Sequence, residues 1–161
     1  MGVAPLILRH VNIRTLIILT ITVLLAGCVK DDEPMESLIK VGDRLPDFTI
    51  TLNDGSRLTT SDLRGRESVI VLFNTSCPDC REELPKIQEL HDEQPELAII
   101  CISRAEDAPS VASYWEENGL TLPYSAQSTA DVYHLFATAG IPRVYYADAD
   151  LIVTRAYGPP D

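Results

Sequence analysis

The pattern that most constrains this chain is an apolar run, Ser68 to Phe73, followed by Cys77-Pro78-Asp79-Cys80 and then a helical periodicity reaching about Glu93. Strand, Cys-x-x-Cys, helix is a redox geometry. A strand end delivers the first sulfur to a sheet edge, and the first helical turn points unpaired N–H groups and a partial positive charge at it, favouring thiolate. Cys77 is therefore the expected attacking sulfur. Cys80, one turn later on the same face, can reach back to Cys77 and close a disulfide. Half of a zinc site and a structural disulfide are the competing readings. Zinc would need two more ligands at suitable spacing, and only scattered candidates exist: His91 at the far end of the same helix, His10, His134 and Cys101. Neither a metal nor a cofactor is expected.

The N-terminus speaks to location. Arg9 and Arg14 precede an apolar stretch, Leu16 to Leu25, too short to span a bilayer and ending in Leu25-Ala26-Gly27-Cys28. Residues 1–27 read as a signal peptide. Small residues just before a cysteine resemble the lipobox of bacterial lipoproteins, in which Cys28 becomes the lipidated first residue of the mature chain. Residues 28–40, with Lys30-Asp31-Asp32-Glu33-Pro34, read as a charged tether between lipid and domain. The expected place is the cell envelope, facing the periplasm or the cell surface.

Loss of residues 1–27 removes two arginines and no acid, so the net charge moves from −11 to −13. Such acidity argues against nucleic acid and against electrostatic adhesion to anionic lipid, leaving the lipid as the membrane attachment. The remaining chain, about 134 residues, is enough for one core. Cys101, in the continuous apolar run Leu97 to Ile102, reads as a small hydrophobe in a doubly covered strand.

From Asp47 an alternating strand runs through Leu52, turns at Asn53-Asp54-Gly55-Ser56 and returns at Leu58, as a hairpin. Thr60 to Leu63 reads as a capped helical turn, and Pro85 is expected to kink the helix that starts at Cys77. A strand at Leu97–Ile102, a helix from Asp107 to Gly119, a short strand at Leu122–Ser125 and a helix over 129–138 follow. A second hairpin, Arg143–Ala147 and Leu151–Ala156, closes the pattern. Strands interleaved with helices imply a mixed α/β sheet covered on its faces.

Three segments carry a specific resemblance: Val41-Gly42-Asp43 with Pro46-Asp47-Phe48; Phe73 to Pro85 around the two cysteines; and Gly140-Ile141-Pro142. Together they resemble the TlpA/ResA family of envelope thiol-disulfide reductases. That resemblance implies a thioredoxin-like fold over residues 41–161, with a mixed sheet, an N-terminal β-hairpin and flanking helices. It also implies that Cys77 attacks a protein disulfide substrate, that Cys80 resolves the mixed disulfide, and that a membrane thiol electron donor of the DsbD or CcdA type restores the pair. Pro142 falls where such proteins carry a cis-proline loop, and the backbone of Ile141 would pair with substrate as an added strand. Ser76, Pro78 and Asp79 complete the expected substrate surface. Glu83 lies where ResA-like proteins have an acid near the pair, and by helical spacing it shares a face with Cys80 and could shuttle its proton.

Departures from the family are equally legible. Val71 stands where thioredoxin proper has a buried acid, Ser76 stands where the family commonly has Trp, and the sole tryptophan, Trp115, belongs to a later helix and reads as core. The chain also stops at Gly158-Pro159-Pro160-Asp161, where a thioredoxin fold would continue into a C-terminal helix beside the active-site helix. Without that helix, a sheet face is expected to be hidden by a partner, a second copy or the N-terminal segment, making a homo-oligomer one outcome. Asp79, Glu82 and Glu83 oppose a negative sulfur, which stabilises the disulfide and makes the pair reducing. A peroxide reductase of the peroxiredoxin class shares Gly42-Asp43-x-x-Pro46-Asp47-Phe48 but would need Thr and Pro where this chain has Asn74 and Ile70. A non-catalytic thioredoxin-like binding module is the remaining alternative.

Overall fold

The structure is a computed structural model, and residues 36–159 of it are described. The expected signal peptide 1–27, Cys28 and most of the tether lie outside the described residues. Two runs of six residues with no polar alternation, β3 (Ser68–Phe73) and β4 (Ala98–Ser103), are buried at every position and pair in parallel at the centre of the sheet. Continuous apolar sequence is what a strand covered on both faces requires. Ile70, Leu72, Ile100 and Ile102 join one core, while Val69, Val71, Phe73, Ile99 and Cys101 join the other.

The second core is closed by two helices. In α1 (Pro78–Glu93) the buried side chains are Cys80, Leu84 and Ile87, at helical spacing, and the helix runs on past Pro85, which sits on its exposed side. In α2 (Ala108–Asn118) Asp107 caps the start by accepting from the Ser110 N–H at 2.8 Å, and Gly119 ends it at φ +62°. Val111 and Trp115 are buried beneath α2, and Trp115 Nε1 donates to the Leu122 carbonyl at 2.9 Å, as a core tryptophan must.

The first core is closed by the hairpin β1 (Thr49–Thr51) and β2 (Arg57–Thr59), with Ile50 opposite Leu58. With β5 (Tyr124–Ser125), β6 (Arg143–Ala147) and β7 (Val153–Tyr157), the main sheet has the order β5-β4-β3-β6-β7, in which β6 is antiparallel to both neighbours. This is a thioredoxin-like α/β fold.

Three expectations are corrected. In place of a helix over 129–138 there is only a 3-10 turn at Tyr133–Leu135. The apolar residues Tyr133, Phe136 and Ala137 have helical spacing and are buried, but the backbone at 136–138 pairs with the N-terminal segment instead. Leu38 N–H donates to the Phe136 carbonyl at 2.8 Å and Thr138 N–H to that of Glu36 at 3.0 Å. The same bonds correct the tether: its last residues, 36–40, lie against the domain, with Ser37 Oγ 3.0 Å from Tyr145 Oη.

The third correction concerns the sheet face beside α1. No helix follows β7 among the described residues, yet this strip is not a large open apolar face. Arg155 lies over the Tyr146 ring at 3.6 Å, Tyr157 packs against the same ring at 6.3 Å, and of the exposed large apolar side chains only Tyr157 belongs to the strip. Among the described residues the strip thus presents no large apolar patch.

Candidate functional site

The site forms where β3 ends and the loop before β6 begins. Phe73 is the last strand residue, and the turn that follows is pinned by side chains. Asn74 Oδ1 accepts from the Ser76 N–H at 2.9 Å and from Ser76 Oγ at 2.5 Å. Thr75 gives both its N–H and its hydroxyl to the Glu106 carboxylate, and Arg81 Nε donates to the Thr75 carbonyl at 2.5 Å. Cys77 thereby becomes the N-cap of α1, with Pro78 at the first helical position, where a missing N–H costs nothing.

The two sulfurs differ in environment. Both are free thiols; Cys77 is half-buried, and Cys80 is fully buried in the core beneath α1. Burial pushes the Cys80 thiol far above its ordinary value, and the adjoining Cys77 thiol adds to the shift. Cys101 is buried on β4 and its thiol is raised by burial alone. Among the described residues no group of three or more His, Cys, Asp or Glu side chains is close enough to hold a metal ion.

Facing Cys77 is the loop that precedes β6. The Ile141–Pro142 peptide is cis, and Cys77 Sγ lies 3.7 Å from the Ile141 carbonyl oxygen. The expected Ile141 and Pro142 are thus brought to the sulfur, and the Ile141 N–H has no acceptor among the described residues. Ser76, Pro78 and Asp79 are exposed on the rim. Glu83 lines a separate cleft of about 330 Å³ with Pro142 and Tyr157. Its side chain is only 16 % exposed, accepting from Tyr157 Oη at 2.8 Å and pairing with Lys86 Nζ at 3.3 Å. Tyr157 is exposed as a whole, and partial desolvation of its phenol end, followed by the bond to Glu83, pushes that phenol above its usual range.

Four residues here were missed by sequence reasoning. Arg143 is 3 % exposed and donates to the Ala139 carbonyl at 2.8 Å and the Gly140 carbonyl at 3.2 Å, while Tyr133 Oη donates to Gly140 at 3.0 Å. These two side chains hold the loop that carries Ile141 and Pro142. Arg104 and Tyr157 flank the loop on opposite sides. A buried arginine directly after Pro142 was the one available signal, since Arg at a core-facing strand position needs a polar purpose. Tyr157 could be found only from the register that sets it opposite Val144.

Comparison with known proteins gives a consistent answer. The family model described as Redoxin matches residues 40–160. The chain is 25 % identical over 141 residues to the thiol-disulfide oxidoreductase ResA of Oceanobacillus iheyensis, covering 84 % of this chain and 72 % of that one. It is 24 % identical over 126 residues to ResA of Bacillus thuringiensis, covering 77 % and 70 %. Among solved structures, a candidate protein disulfide isomerase from Bacteroides thetaiotaomicron superposes with a TM-score of 0.71 at 30 % identity, covering 77 % of this chain and 82 % of that one. A thiol:disulfide interchange protein of the thioredoxin family from Chlorobium tepidum gives a TM-score of 0.65 at 23 % identity, covering 76 % and 89 %.

Proposed function

The chain belongs to the Redoxin family, as a ResA/TlpA-like thiol-disulfide oxidoreductase of the thioredoxin superfamily, and we propose that it reduces disulfides in exported proteins of the cell envelope. One observation carries the reading: a half-buried Cys77 at a helix N-cap, 3.7 Å from the Ile141 carbonyl beside cis-Pro142, with a buried Cys80 one turn behind it. A substrate segment lies along Ile141, and Cys77, as thiolate, attacks one substrate sulfur. A mixed disulfide forms and the other substrate sulfur leaves as a thiolate that takes up a proton. Cys80 then gives up its proton to Glu83, attacks Cys77 Sγ and releases the first substrate sulfur. The substrate gains two electrons and two protons, and the enzyme is left with a Cys77–Cys80 disulfide.

Burial of Cys80 explains why the second step needs a base. A thiol raised by desolvation has little thiolate of its own, so the mixed disulfide would persist without an acceptor for its proton. Glu83, three residues on along α1, is the acid on that face. In this reading Cys28 carries the lipid anchor, the protein faces the periplasm or the cell surface, and a membrane dithiol donor of the DsbD or CcdA type returns the electrons. An oxidising compartment demands such a donor, because exposed dithiols there otherwise end as disulfides.

A Cys80→Ala variant tests the proposal. It should hold substrates as mixed disulfides on Cys77, and the captured set should consist of exported proteins; capture of nothing, or wild-type consumption of peroxide at the expense of a dithiol, would overturn the reading. The reduction potential should lie near that of thioredoxin, about −270 mV, since a pair poised near −120 mV would be an oxidant.

A further inference from the structure

We infer that Arg104 is a substrate-reading residue, and that the cleft beside Cys77 takes a polypeptide segment with an aspartate or glutamate next to its disulfide. This rests on the reading of the protein as a disulfide reductase and adds the charge of the substrate. Cys77, Ile141, Asn74, Ser76 and Arg104 line one cleft of about 380 Å³. Arg104 and the attacking Cys77 border the same space into which a substrate must come.

The backbone of Arg104 is tied to the active-site turn. Directly after β4, its N–H donates to the Phe73 carbonyl at 2.7 Å and its own carbonyl accepts from Asn74 Nδ2 at 3.0 Å. Ala105 then turns the chain at φ +50°, a left-handed conformation that a residue with a Cβ rarely takes, and its N–H donates to the Thr129 carbonyl at 3.2 Å. The guanidinium lies 4.5 Å above the centre of the Tyr133 ring. That ring is buried and its hydroxyl is bonded to the Gly140 carbonyl, so the stacking platform is itself fixed. An arginine stacked in this way has already lost much of its rotamer freedom before any ligand arrives.

No carboxylate among the described residues answers the charge of Arg104. Among the described residues its side chain makes no hydrogen bond and no ion pair. The nearest carboxylate in sequence, Glu106, is committed to Thr75. Asp79, Glu82 and Glu83 line the cleft on the other side of Pro142. In a chain of net charge −11, a half-buried cation in the cleft of the reactive cysteine is the exception that needs a partner. A carboxylate matches a guanidinium with two parallel hydrogen bonds, and a polypeptide supplies it on a strand that also fits along Ile141.

The test uses the full chain in its reduced form and two peptide disulfides that differ only in Asp or Asn beside the cysteine. The second-order rate constant for the Asp peptide should exceed that for the Asn peptide by roughly fivefold, and Arg104→Gln should bring the ratio to about one. Taking the ratio on each variant cancels any change in Cys77 reactivity. Arg104→Lys should restore part of the ratio, and Arg104→Glu should invert it for a Lys peptide over the Asp one. For the wild type alone, the ratio should fall as salt is raised from 0.05 to 0.5 M, which keeps the test independent of variants that fail to fold. Equal rates for the two peptides, or a ratio unmoved by Arg104→Gln or by salt, overturn the inference alone. Reduction of neither peptide would overturn the functional reading and this inference with it.

Discussion

The two flanks of the Ile141–Pro142 loop differ in the sign of their charge. On the Cys77 side the cleft holds Arg104 stacked on Tyr133; on the other side it holds Asp79, Glu82 and Glu83, with Tyr157 and Lys86 bonded to Glu83. The separation matches two jobs. A cation lining the cleft of half-buried Cys77 suits the arrival of substrate, whereas the role proposed for Glu83, three residues along α1 from Cys80, is removal of a proton.

Breaking the loop itself should have the largest effect, because both flanks depend on it. Arg143→Ala leaves the Ala139 and Gly140 carbonyls without their charged donor in a buried place. The expected cost is about 3 kcal/mol of stability, with reductase turnover falling for every substrate alike, as measured by urea unfolding and turnover on two unrelated disulfides. A variant of wild-type stability would mean that the loop is held by something else.

Next in size is the test of the acidic flank. Glu83→Gln should slow the resolving step roughly 100-fold while leaving the first attack by Cys77 nearly unchanged, so the mixed disulfide accumulates in a single-turnover quench. If both steps slow together, Glu83 acts on the fold and not on the Cys80 proton. Tyr157→Phe removes one donor to that carboxylate and should change the resolving rate by roughly threefold, with Arg104-dependent discrimination untouched.

How much of this was legible differs between the flanks for a physical reason. Strands β3 and β4, the cap at Asp107 and the Cys77–Cys80 turn are set by patterns within a few residues, and the sequence shows them. The helix expected at 129–138 from its helical apolar spacing is absent because backbone bonds there go to residues 36–38, about a hundred positions away. Glu83 could be placed by helix spacing alone. Its partner Tyr157, 74 residues on, is fixed only by the pairing of β7 with β6. Arg104 looks in sequence like a solvated residue after a strand, and only the stack on Tyr133 and the shared cleft with Cys77 give it a place in the site.

The smallest expected effect separates the flanks by their tyrosines. The phenols of buried Tyr133 and of the more exposed Tyr157 are both raised above the ordinary value of 10.0, in each case first by desolvation. They differ in the charges beside them: Glu83 raises Tyr157 further, whereas Arg104 and Arg143 pull Tyr133 back down. A tyrosine that holds its proton more tightly when folded contributes stability that is complete below pH 10 and is lost as the unfolded chain ionises above it. Unfolding midpoints measured between pH 8 and 11 should therefore decline at the alkaline end, and Tyr157→Phe should flatten that decline more than Tyr133→Phe. Equal flattening would mean that burial alone sets both groups, and the opposed charges across the loop would then have no energetic consequence for the phenols they touch.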